Sequence, residues 1–377
     1  MLNKARREII HINSYYVSTP LHRELVVSLD SLGYKQLVYI PVGAIKHIDI
    51  YKPKNLENGR LIFSYCFGKI SRFLWPIKML KIWYDFKMLI KNNSCHFIHA
   101  HSLIVNGLIA YLTYRKLKIP YIVSVRDTDI NFFIKNSFLF RKMGTIIMEN
   151  ALAVITLSPA YRDIQLSKYL PESKYKNLLN KIHVVPNGIN EFWLNNRYKR
   201  ININDIPVLI FVGRIIKRKN LVTLISACNY LNKNNFQVRL NVIGDGPLLE
   251  KYKQETHITQ IKYYGNIHDK NKLLQLYRKS DALVVPSFTE TFGLVYPEAM
   301  SQGLPILYSK GQGFDGFFPD GYVGYSVNPN DPYEIAQRIK AVLANYNYLS
   351  TNAHKNASNF SWENVSERLL NIYNGGI

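Results

Sequence analysis

The sequence predicts an α/β protein with two parallel β-sheets, each covered by helices on both faces. Two observations lead to this fold class. Short apolar runs alternate with helix-like patterns through both halves of the chain. The chain also has 377 residues, which is more than one ordinary core holds and favours two domains of about 100–200 residues each. With 47% hydrophobic residues, both domains can bury a core and global disorder is excluded.

The predicted strands are the short apolar runs, and helical patterns separate them. In the first half they are Ile9–Asn13, Leu37–Pro41, Phe97–Ala100, Tyr121–Val125, Ala153–Leu157 and Ile182–Val185. In the second half they are Val208–Val212, Val238–Ile243, Ile261–Tyr264, Ala282–Val285, Ile306–Tyr308 and Val323–Val327. Two such series predict two Rossmann-like domains, over residues 1–186 and 187–360. The polar stretch Asn187–Asp205 is the predicted linker, and a last helix within 361–377 follows the candidate N-cap Ser361.

The net charge of +22 is concentrated in the first half. Residues 1–185 hold 27 Lys and Arg against 11 Asp and Glu, which gives 27 − 11 = +16, and the remainder gives 21 − 15 = +6. A basic face attracts nucleic acid, anionic lipid or a phosphorylated substrate. Because the sequence has no nucleic-acid-binding motif, we expect no nucleic-acid partner. A basic surface that serves only solubility is the alternative.

The cysteines and the N-terminus predict a cytoplasmic protein. Cys66, Cys95 and Cys228 are isolated and odd in number, which disfavours a disulfide framework and a zinc site. The N-terminal residues lack the apolar core of a signal peptide. The sequence also has no apolar run of about 18 residues that would cross a bilayer.

The most informative segment contains two glutamates, Glu290 and Glu298, separated by seven residues. The apolar run Asp281–Val285 before them predicts a buried strand, and the pattern from Gly293 to Gln302 predicts a helix that ends at Gly303. Free amides at the start of that helix would bind phosphate, and the carboxylates would flank the anion. A nucleotide-sugar site needs this arrangement.

This segment resembles the E-x7-E signature of the retaining GT-B glycosyltransferases of family 4. Three further segments resemble that family in the same order, namely Val185–Ile189, Phe211–Asn220 and Val242–Pro247. The resemblance implies a GT-B fold, in which two Rossmann-like domains face a central cleft. It also implies a nucleoside diphosphate sugar as donor, no cofactor and no metal.

The resemblance assigns donor roles residue by residue. It places Glu290 against the donor sugar, Glu298 on the ribose hydroxyls, and Arg214 and Lys219 on the diphosphate. Further donor contacts are implied for Gly213, Asn266, Ile267, Phe292, Gly293, Leu294 and Val295. Two cations on the leaving diphosphate would stabilise the charge that develops there. The alternatives are a solvated basic loop and, for Glu290, simple complementarity to a helix N-terminus.

The acceptor side departs from the commonest family pattern. The loop after the first strand has Ser18 and Thr19 and no Gly-Gly pair. Arg126 and Asp127 stand where many members have a His-Asp pair. We expect Ser18 and Thr19 to donate hydrogen bonds, and Asp127 or Asp129 to hold the acceptor hydroxyl.

Histidines on one predicted strand raise the question of a metal site. His99 and His101 alternate along the strand and therefore share a face. With His96 they form a candidate metal-binding set, but no carboxylate follows at ligand spacing. We expect a structural role, or for His101 a role in shaping the acceptor site.

Two stretches mix cations with large apolar residues and predict contact with an anionic membrane surface. The first is Ile70–Lys91, half of which we expect to belong to the core. The second is Asn131–Lys142, which would bind a lipid-linked acceptor or form a buried helix with a cationic rim.

The resemblance implies a retaining glycosyltransferase, and the basic and apolar stretches predict that it is peripheral on the inner face of the plasma membrane. The donor would be a UDP-sugar rather than a GDP-sugar. The acceptor would be a lipid-linked bacterial surface glycan of capsule or O-antigen type. Two alternatives stay open, a GT-B sugar-nucleotide epimerase and a non-catalytic protein that binds sugar nucleotides or polyanions.

Overall fold

The computed structural model describes residues 8–43, 52–53, 56–68, 74–91, 95–199 and 202–375. The chain divides into two compact units. The first consists of Met1–Leu157, Leu166–Val185 and Val365–Ile377, and the second of Ser158–Gln165 and Pro186–Asn364. A short piece of the first half of the sequence therefore belongs to the second unit, and the last helix ends in the first.

In the described residues of the first unit, parallel strands form one sheet in the order β3-β2-β1-β4-β5-β6-β7. The strands are β1 (Ile9–Ile12), β2 (Gln36–Pro41), β3 (Gly59–Ser64), β4 (Phe97–Ala100), β5 (Tyr121–Ser124), β6 (Ala153–Thr156) and β7 (Ile182–Val184). The α-helices are α1 (Leu21–Ser31), α2 (Trp75–Lys91), α3 (Val105–Leu117), α4 (Phe138–Asn150) and α5 (Glu172–Leu178). Strands β1, β2, β4, β5 and β6 are buried along their length, as expected for a parallel sheet covered on both faces.

The second unit has the same architecture, with parallel strands in the order β10-β9-β8-β11-β12-β13. The strands are β8 (Val208–Val212), β9 (Arg239–Ile243), β10 (Gln260–Tyr263), β11 (Ala282–Val285), β12 (Ile306–Ser309) and β13 (Gly324–Val327). The helices are α6 (Glu191–Asn195), α7 (Leu221–Lys233), α8 (Leu249–Gln254), α9 (Lys270–Arg278), α10 (Val295–Ser301), α11 (Pro332–Ala344), α12 (Tyr346–Asn356) and α13 (Trp362–Gly375). Helix α13 continues beyond Asn364 into the first unit.

The two-sheet α/β fold is as predicted, and every predicted strand is present. Strand β3 (Gly59–Ser64) was missed; it lies half-exposed at the sheet edge, and its apolar residues are Leu61–Phe63. The predicted linker is wrong. Within Asn187–Asp205 the chain forms α6, capped by the side chain of Asn190, and buries Trp193 in the second unit. Among the described residues, no helix is long and apolar enough to cross a membrane.

Candidate active site

Loops at the carboxyl ends of three neighbouring strands enclose a cavity of about 630 Å³ in the second unit. The strands β8, β9 and β10 are adjacent in the sheet, so their following loops converge at one edge. The lining residues are Val212, Gly213, Arg214, Ile243, Gly244, Asp245, Gly246, Asn266, Ile267 and Leu273. Ligands of open α/β sheets bind at this edge. The structure thus brings the predicted donor residues Gly213, Arg214, Asn266 and Ile267 to one cavity.

Backbone hydrogen bonds join these loops, and at Gly244 the close approach of the chains requires glycine. The Gly213 amide donates to the Ile243 carbonyl at 3.0 Å, and the Gly244 amide donates to the Gly265 carbonyl at 2.8 Å. Gly244 has a φ of +136°, and a Cβ atom there would overlap the Gly213 carbonyl oxygen. The turn at Gly244, within the family-like segment Val242–Pro247, therefore shapes the cavity wall.

The two predicted catalytic groups Lys219 and Glu290 form an ion pair. Both side chains are largely buried, with 16% of Lys219 and 10% of Glu290 exposed. The Lys219 chain runs about 3.8 Å from a Cβ placed on Gly213 and so borders the cavity. Lys219 is thus paired in this state, whereas Arg214 is exposed at the cavity.

Neighbouring backbone and two glycines fix the Glu290 side chain. Its Oε1 accepts a hydrogen bond from the Thr291 amide at 3.2 Å. A Cβ on Gly313 would lie 2.6 Å from the Glu290 Cγ, and a Cβ on Gly293 would lie 3.4 Å from it. The φ angles of Gly293 and Gly313, +83° and +30°, also favour glycine. These contacts leave Glu290 few alternative rotamers.

The helix after Glu290 begins later than predicted. Helix α10 starts at Val295 with Leu294 as its N-cap, and Gly293 lies in the preceding turn. The helix does end before Gly303, which has a φ of +71°. Its seven residues place Glu298 in the first turn, half-buried. Burial, and after it the charge of Glu298, raise the pKa of the buried Tyr277 well above its ordinary value.

The predicted donor contact Phe292 is buried instead. Its ring packs edge-on against Phe317 and in tilted contact with Phe314 and Phe360, with centroid distances of 5.7–6.0 Å. The side chain is a core residue, so a ligand would meet only its backbone.

The loop after β8 is also anchored to the loops after β11 and β13. Buried Asn220, with a φ of +58°, donates from Nδ2 to the carbonyls of Pro286 at 2.9 Å and Pro329 at 2.6 Å. The Phe288 amide donates to the Arg218 carbonyl at 2.8 Å. Asn220 therefore fixes the position of the loop that carries Arg214 and Lys219. The sequence did not reveal this role.

In the first unit, His101 belongs to a cluster of buried histidines. His11 and His99 are paired in the register of β1 and β4. The His99 and His101 rings stack at 4.1 Å between centroids. Nδ1 of His11 lies 2.9 Å from Nε2 of His101, and His22 packs edge-on against His101. The shared face was predicted correctly, but His11 takes the place assigned to His96, which is exposed. A histidine inside the apolar run Ile9–Ile12 was the available signal.

The cluster could hold a metal only after rearrangement. The candidate ligand atoms of His11, His99 and His101 lie within 4.8 Å of one another. Both nitrogens of His99 already have partners, Tyr373 at 2.6 Å and Ser124 at 2.9 Å. Burial lowers the pKa of His99 and His101, and the neighbouring histidines and the charge of Arg126 lower it further. That cation would oppose a bound metal ion.

The two candidate acceptor carboxylates, Asp127 and Asp129, differ in burial and in hydrogen-bond partners. Buried Asp129 accepts hydrogen bonds from the amides of Leu103, Ile104 and Arg126 at 2.8–2.9 Å. Burial nevertheless raises the pKa of Asp129 to about 6. These amides engage both oxygens of the carboxylate, so Asp129 holds the surrounding backbone, and its acceptor role stays a prediction. Half-buried Asp127, which accepts from Asn131 at 2.7 Å, is the more accessible of the two candidates.

The other acceptor-side residues make local contacts. The Ser18 hydroxyl donates to the Tyr15 carbonyl at 2.6 Å, and the Thr19 hydroxyl accepts from the Leu21 amide at 3.4 Å. The Arg126 Nε donates to the His101 carbonyl at 3.4 Å. Ser18 is exposed, Thr19 and Arg126 are half-buried, and their acceptor roles stay predictions.

The sequence matches two models of one enzyme class. Residues 22–191 match Glycosyltransferase Family 4, and residues 195–360 match Glycosyl transferases group 1. Together with two Rossmann-like units, these matches define a GT-B glycosyltransferase. The chain belongs to the family 4, or group 1, glycosyltransferases.

Relatives and solved structures agree with this assignment. The uncharacterized glycosyltransferase MJ1178 of Methanocaldococcus jannaschii is 27% identical over 76% of this chain and 77% of its own. An uncharacterized 41.2 kDa protein in the cps region of Klebsiella pneumoniae is 27% identical over 66% of this chain and 69% of its own.

Three structures share the fold at low sequence identity. Sucrose-phosphate synthase of Thermosynechococcus elongatus has a TM-score of 0.74 at 21% identity, covering 98% of this chain and 99% of its own. The lipopolysaccharide outer core galactosyltransferase WaaB has a TM-score of 0.74 at 17% identity, covering 98% of this chain and 100% of its own. HepE of Anabaena, in complex with UDP, has a TM-score of 0.68 at 16% identity, covering 98% of this chain and 100% of its own.

Proposed function

We propose that this glycosyltransferase moves a sugar from a UDP-sugar to a hydroxyl of a lipid-linked surface glycan, with retention of the anomeric configuration. The observation that carries the donor part is the cavity over β8, β9 and β10, bordered by exposed Arg214 and by the Lys219–Glu290 pair. A structural neighbour binds UDP, which supports uridine as the base.

In this proposal the diphosphate binds Arg214 and draws Lys219 away from Glu290. The bond between the sugar C1 and the phosphate oxygen breaks, and the acceptor oxygen bonds to C1 on the same face. The acceptor proton passes to the leaving phosphate oxygen. Arg214 and Lys219 stabilise the charge on the diphosphate, and losing one such contact typically costs about 10²–10³ in rate. Glu290, released from Lys219, accepts hydrogen bonds from the donor sugar.

The lipid-linked acceptor and the anionic membrane are supported by an exposed apolar stripe on α2. Met79, Ile82 and Phe86 face the core, so half of this helix is buried as expected. On the other side, Leu80 is 59%, Tyr84 64% and Met88 43% exposed. These three residues are spaced by four and form one stripe. Of the predicted segment Ile70–Lys91, residues 70–73 lie outside the described part of the chain.

Cations and further apolar residues accompany the stripe. The cations Lys81, Lys87 and Lys91 lie on the same helix. The second predicted stretch exposes Phe132, Phe138 and Leu139, which contradicts a buried helix. The ring of Trp75 on α2 packs against Phe140 on α4 at 5.3 Å, so the two stretches are adjacent. Apolar side chains flanked by lysines fit an anionic bilayer surface. A capsule-region relative and a lipopolysaccharide transferase neighbour support a surface-glycan acceptor.

The donor is tested by nucleoside diphosphate release across a panel of UDP- and GDP-sugars, with and without membrane glycolipid extract. A transferase releases UDP from one donor and does so faster with extract. Conversion of donor without acceptor would support an epimerase, and no release from any donor would support a binding protein. Glu290→Ala is expected to abolish transfer while the far-UV circular dichroism spectrum stays unchanged. Near-normal turnover in that variant would refute the assignment of Glu290.

The membrane contact is tested by cosedimentation with phosphatidylglycerol vesicles, and with phosphatidylcholine vesicles for comparison. Leu80→Glu and Tyr84→Glu should weaken binding to the anionic vesicles. Ile258→Glu is the matched control, because Ile258 is equally exposed but belongs to the second unit. Equal binding by all variants, or no binding by the natural chain, would remove the membrane from the proposal.

A further inference from the structure

The loop after β12 makes two hydrogen bonds to the Glu290 backbone, one from a side chain and one from an amide. The Glu290 amide donates to Oε1 of Gln312 at 3.1 Å, and the Gly313 amide donates to the Glu290 carbonyl at 2.8 Å. Gly313 also packs directly on the Glu290 side chain. The position of this loop, defined here as Lys310–Gly316, therefore determines where Glu290 lies.

The same loop is held from its other side by Ser158–Gln165, the segment of the first half of the sequence that belongs to the second unit. Nε2 of Gln165 donates to the Gly311 carbonyl at 2.6 Å. Gln165 is 8% exposed and Gly311 is half-buried, so this hydrogen bond is partly shielded from water.

Two close contacts support the same attachment independently of Gln165. A Cβ on Gly316 would lie 2.9 Å from the Pro159 Cβ, and a Cβ on Gly311 would lie 3.5 Å from the Ile164 Cδ1. Gly311 and Gly316 have φ angles of +70° and +87°, which favour glycine. Inside the loop, the Gly311 amide donates to Oδ2 of Asp315 at 2.6 Å, which stiffens it.

We propose that Gln312 and Gln165 are positioning residues for Glu290, and that Ser158–Gln165 acts on the site through them. This inference rests on the proposed catalytic role of Glu290. Gln312 holds the Glu290 backbone, and Gln165 holds the loop that carries Gln312. The substrate class is unchanged, but the machinery of transfer then includes a segment between β6 and β7, far from Glu290 in sequence.

The bonding partners define opposite requirements for the two glutamines. Gln312 must present an oxygen to the Glu290 amide, whereas Gln165 must present an N–H to the Gly311 carbonyl. A glutamate keeps the first interaction and abolishes the second. Gln312→Glu is therefore the conservative variant at its position, and Gln165→Glu is the disruptive one. Gln312→Met and Gln165→Met each remove one of the two hydrogen bonds. Both keep a side chain of similar length and add no charge.

The experiment measures kcat and KM for the UDP-sugar that the donor panel selects, in the full chain. We expect kcat to fall about 10- to 100-fold in Gln312→Met, Gln165→Met and Gln165→Glu, because a shift of about 1 Å at a reacting group has this effect. KM for the donor and calorimetric affinity for UDP should change less than about threefold. Gln312→Glu should retain kcat within about threefold. Gln275→Glu, on the exposed face of α9, is the charge control.

A second readout does not depend on turnover. Hydrogen exchange of the peptide 288–294 should become faster in both Met variants and stay unchanged in Gln275→Glu. If Glu290→Ala is inactive but both Met variants keep natural kcat and natural exchange, the positioning inference is wrong while the proposed function stands. If Glu290→Ala keeps full turnover, the proposed catalytic role of Glu290 fails, and the exchange rates still decide whether the two glutamines order the Glu290 loop.

Discussion

Acid should destabilise the first unit, because its core holds four neutral histidines, His11, His22, His99 and His101. Burial lowers the pKa of His11 and of His22 to about 3, with Arg126 adding to the effect on His22. The pKa values of the other two are also lowered, mainly by burial. A lowered pKa means that the unfolded chain binds the proton first, so stability is present above pH 6.5 and declines as the pH falls toward 3.

The size of the effect follows from the pKa values of His11 and His22. Each of these histidines lowers the free energy of unfolding by about 1.4 kcal/mol for every pH unit below 6.5. Between pH 8 and pH 5 the loss is therefore about 2 kcal/mol for each of His11 and His22. Asp129 acts in the opposite direction, because its pKa is raised to about 6 and it takes up a proton in the folded state. This proton uptake raises the free energy of unfolding by about 1.4 kcal/mol between pH 8 and pH 5. The net loss from these three groups is about 3 kcal/mol, and His99 and His101 add to it.

Urea denaturation at pH 8, 7, 6 and 5 measures this loss. Hydrogen-exchange labelling of the β1 and β4 peptides reads the first unit separately, since the two units need not unfold together. The midpoint should fall by about 1–2 M urea between pH 8 and pH 5. His22→Leu should lose about 2 kcal/mol less over the same interval, whereas His96→Leu, at an exposed position, should behave like the natural chain. A midpoint independent of pH, or equal slopes in all three proteins, would refute the reasoning.

Three further predictions concern single contacts. Lys219→Met should weaken calorimetric UDP binding by about 10-fold or more, because it removes a cation from the diphosphate; an unchanged affinity would contradict that role. Gly313→Ala should destabilise the second unit by about 1–3 kcal/mol in urea and lower turnover, since the new Cβ meets Glu290 at a strained φ; natural values of both would show that the loop yields. Tyr373→Phe should destabilise the first unit by about 1–3 kcal/mol, since it leaves buried His99 without its 2.6 Å partner; equal urea midpoints would contradict this.

Most of the fold could be predicted from the sequence, because a buried parallel strand is a short apolar run whatever its neighbours are. The second-unit donor loops were predictable for a related reason. Residues such as Gly213 and Gly244 follow strands directly, and parallel strands end at one edge. Strand β3 was missed because it lies at a sheet edge, where one face is exposed. The start of α10 was placed two residues early, because Gly293 and Leu294 resemble a first helical turn.

Pairing between distant residues was not predictable. The ion pair of Lys219 with Glu290 joins residues 71 positions apart. His11 joins the histidine cluster through the register of β1 with β4, and pattern alone does not give register. Phe292 lies in a glycosyltransferase signature, yet its ring fills an aromatic core whose other members lie 22 or more positions later. Ser158–Gln165 likewise follows a first-unit strand but packs in the second unit.

The Lys219–Glu290 pair links the state described here to the proposed reaction. Two opposite charges that are mostly buried stabilise each other, and removing one partner leaves the other without compensation. A diphosphate in the adjacent cavity supplies Lys219 with a replacement anion of greater charge. In the proposed reaction Glu290 would then lose its cation and need hydrogen-bond donors, which the hydroxyls of the donor sugar would supply. Donor binding would therefore satisfy both members of the pair at once. UDP without a sugar would satisfy only Lys219.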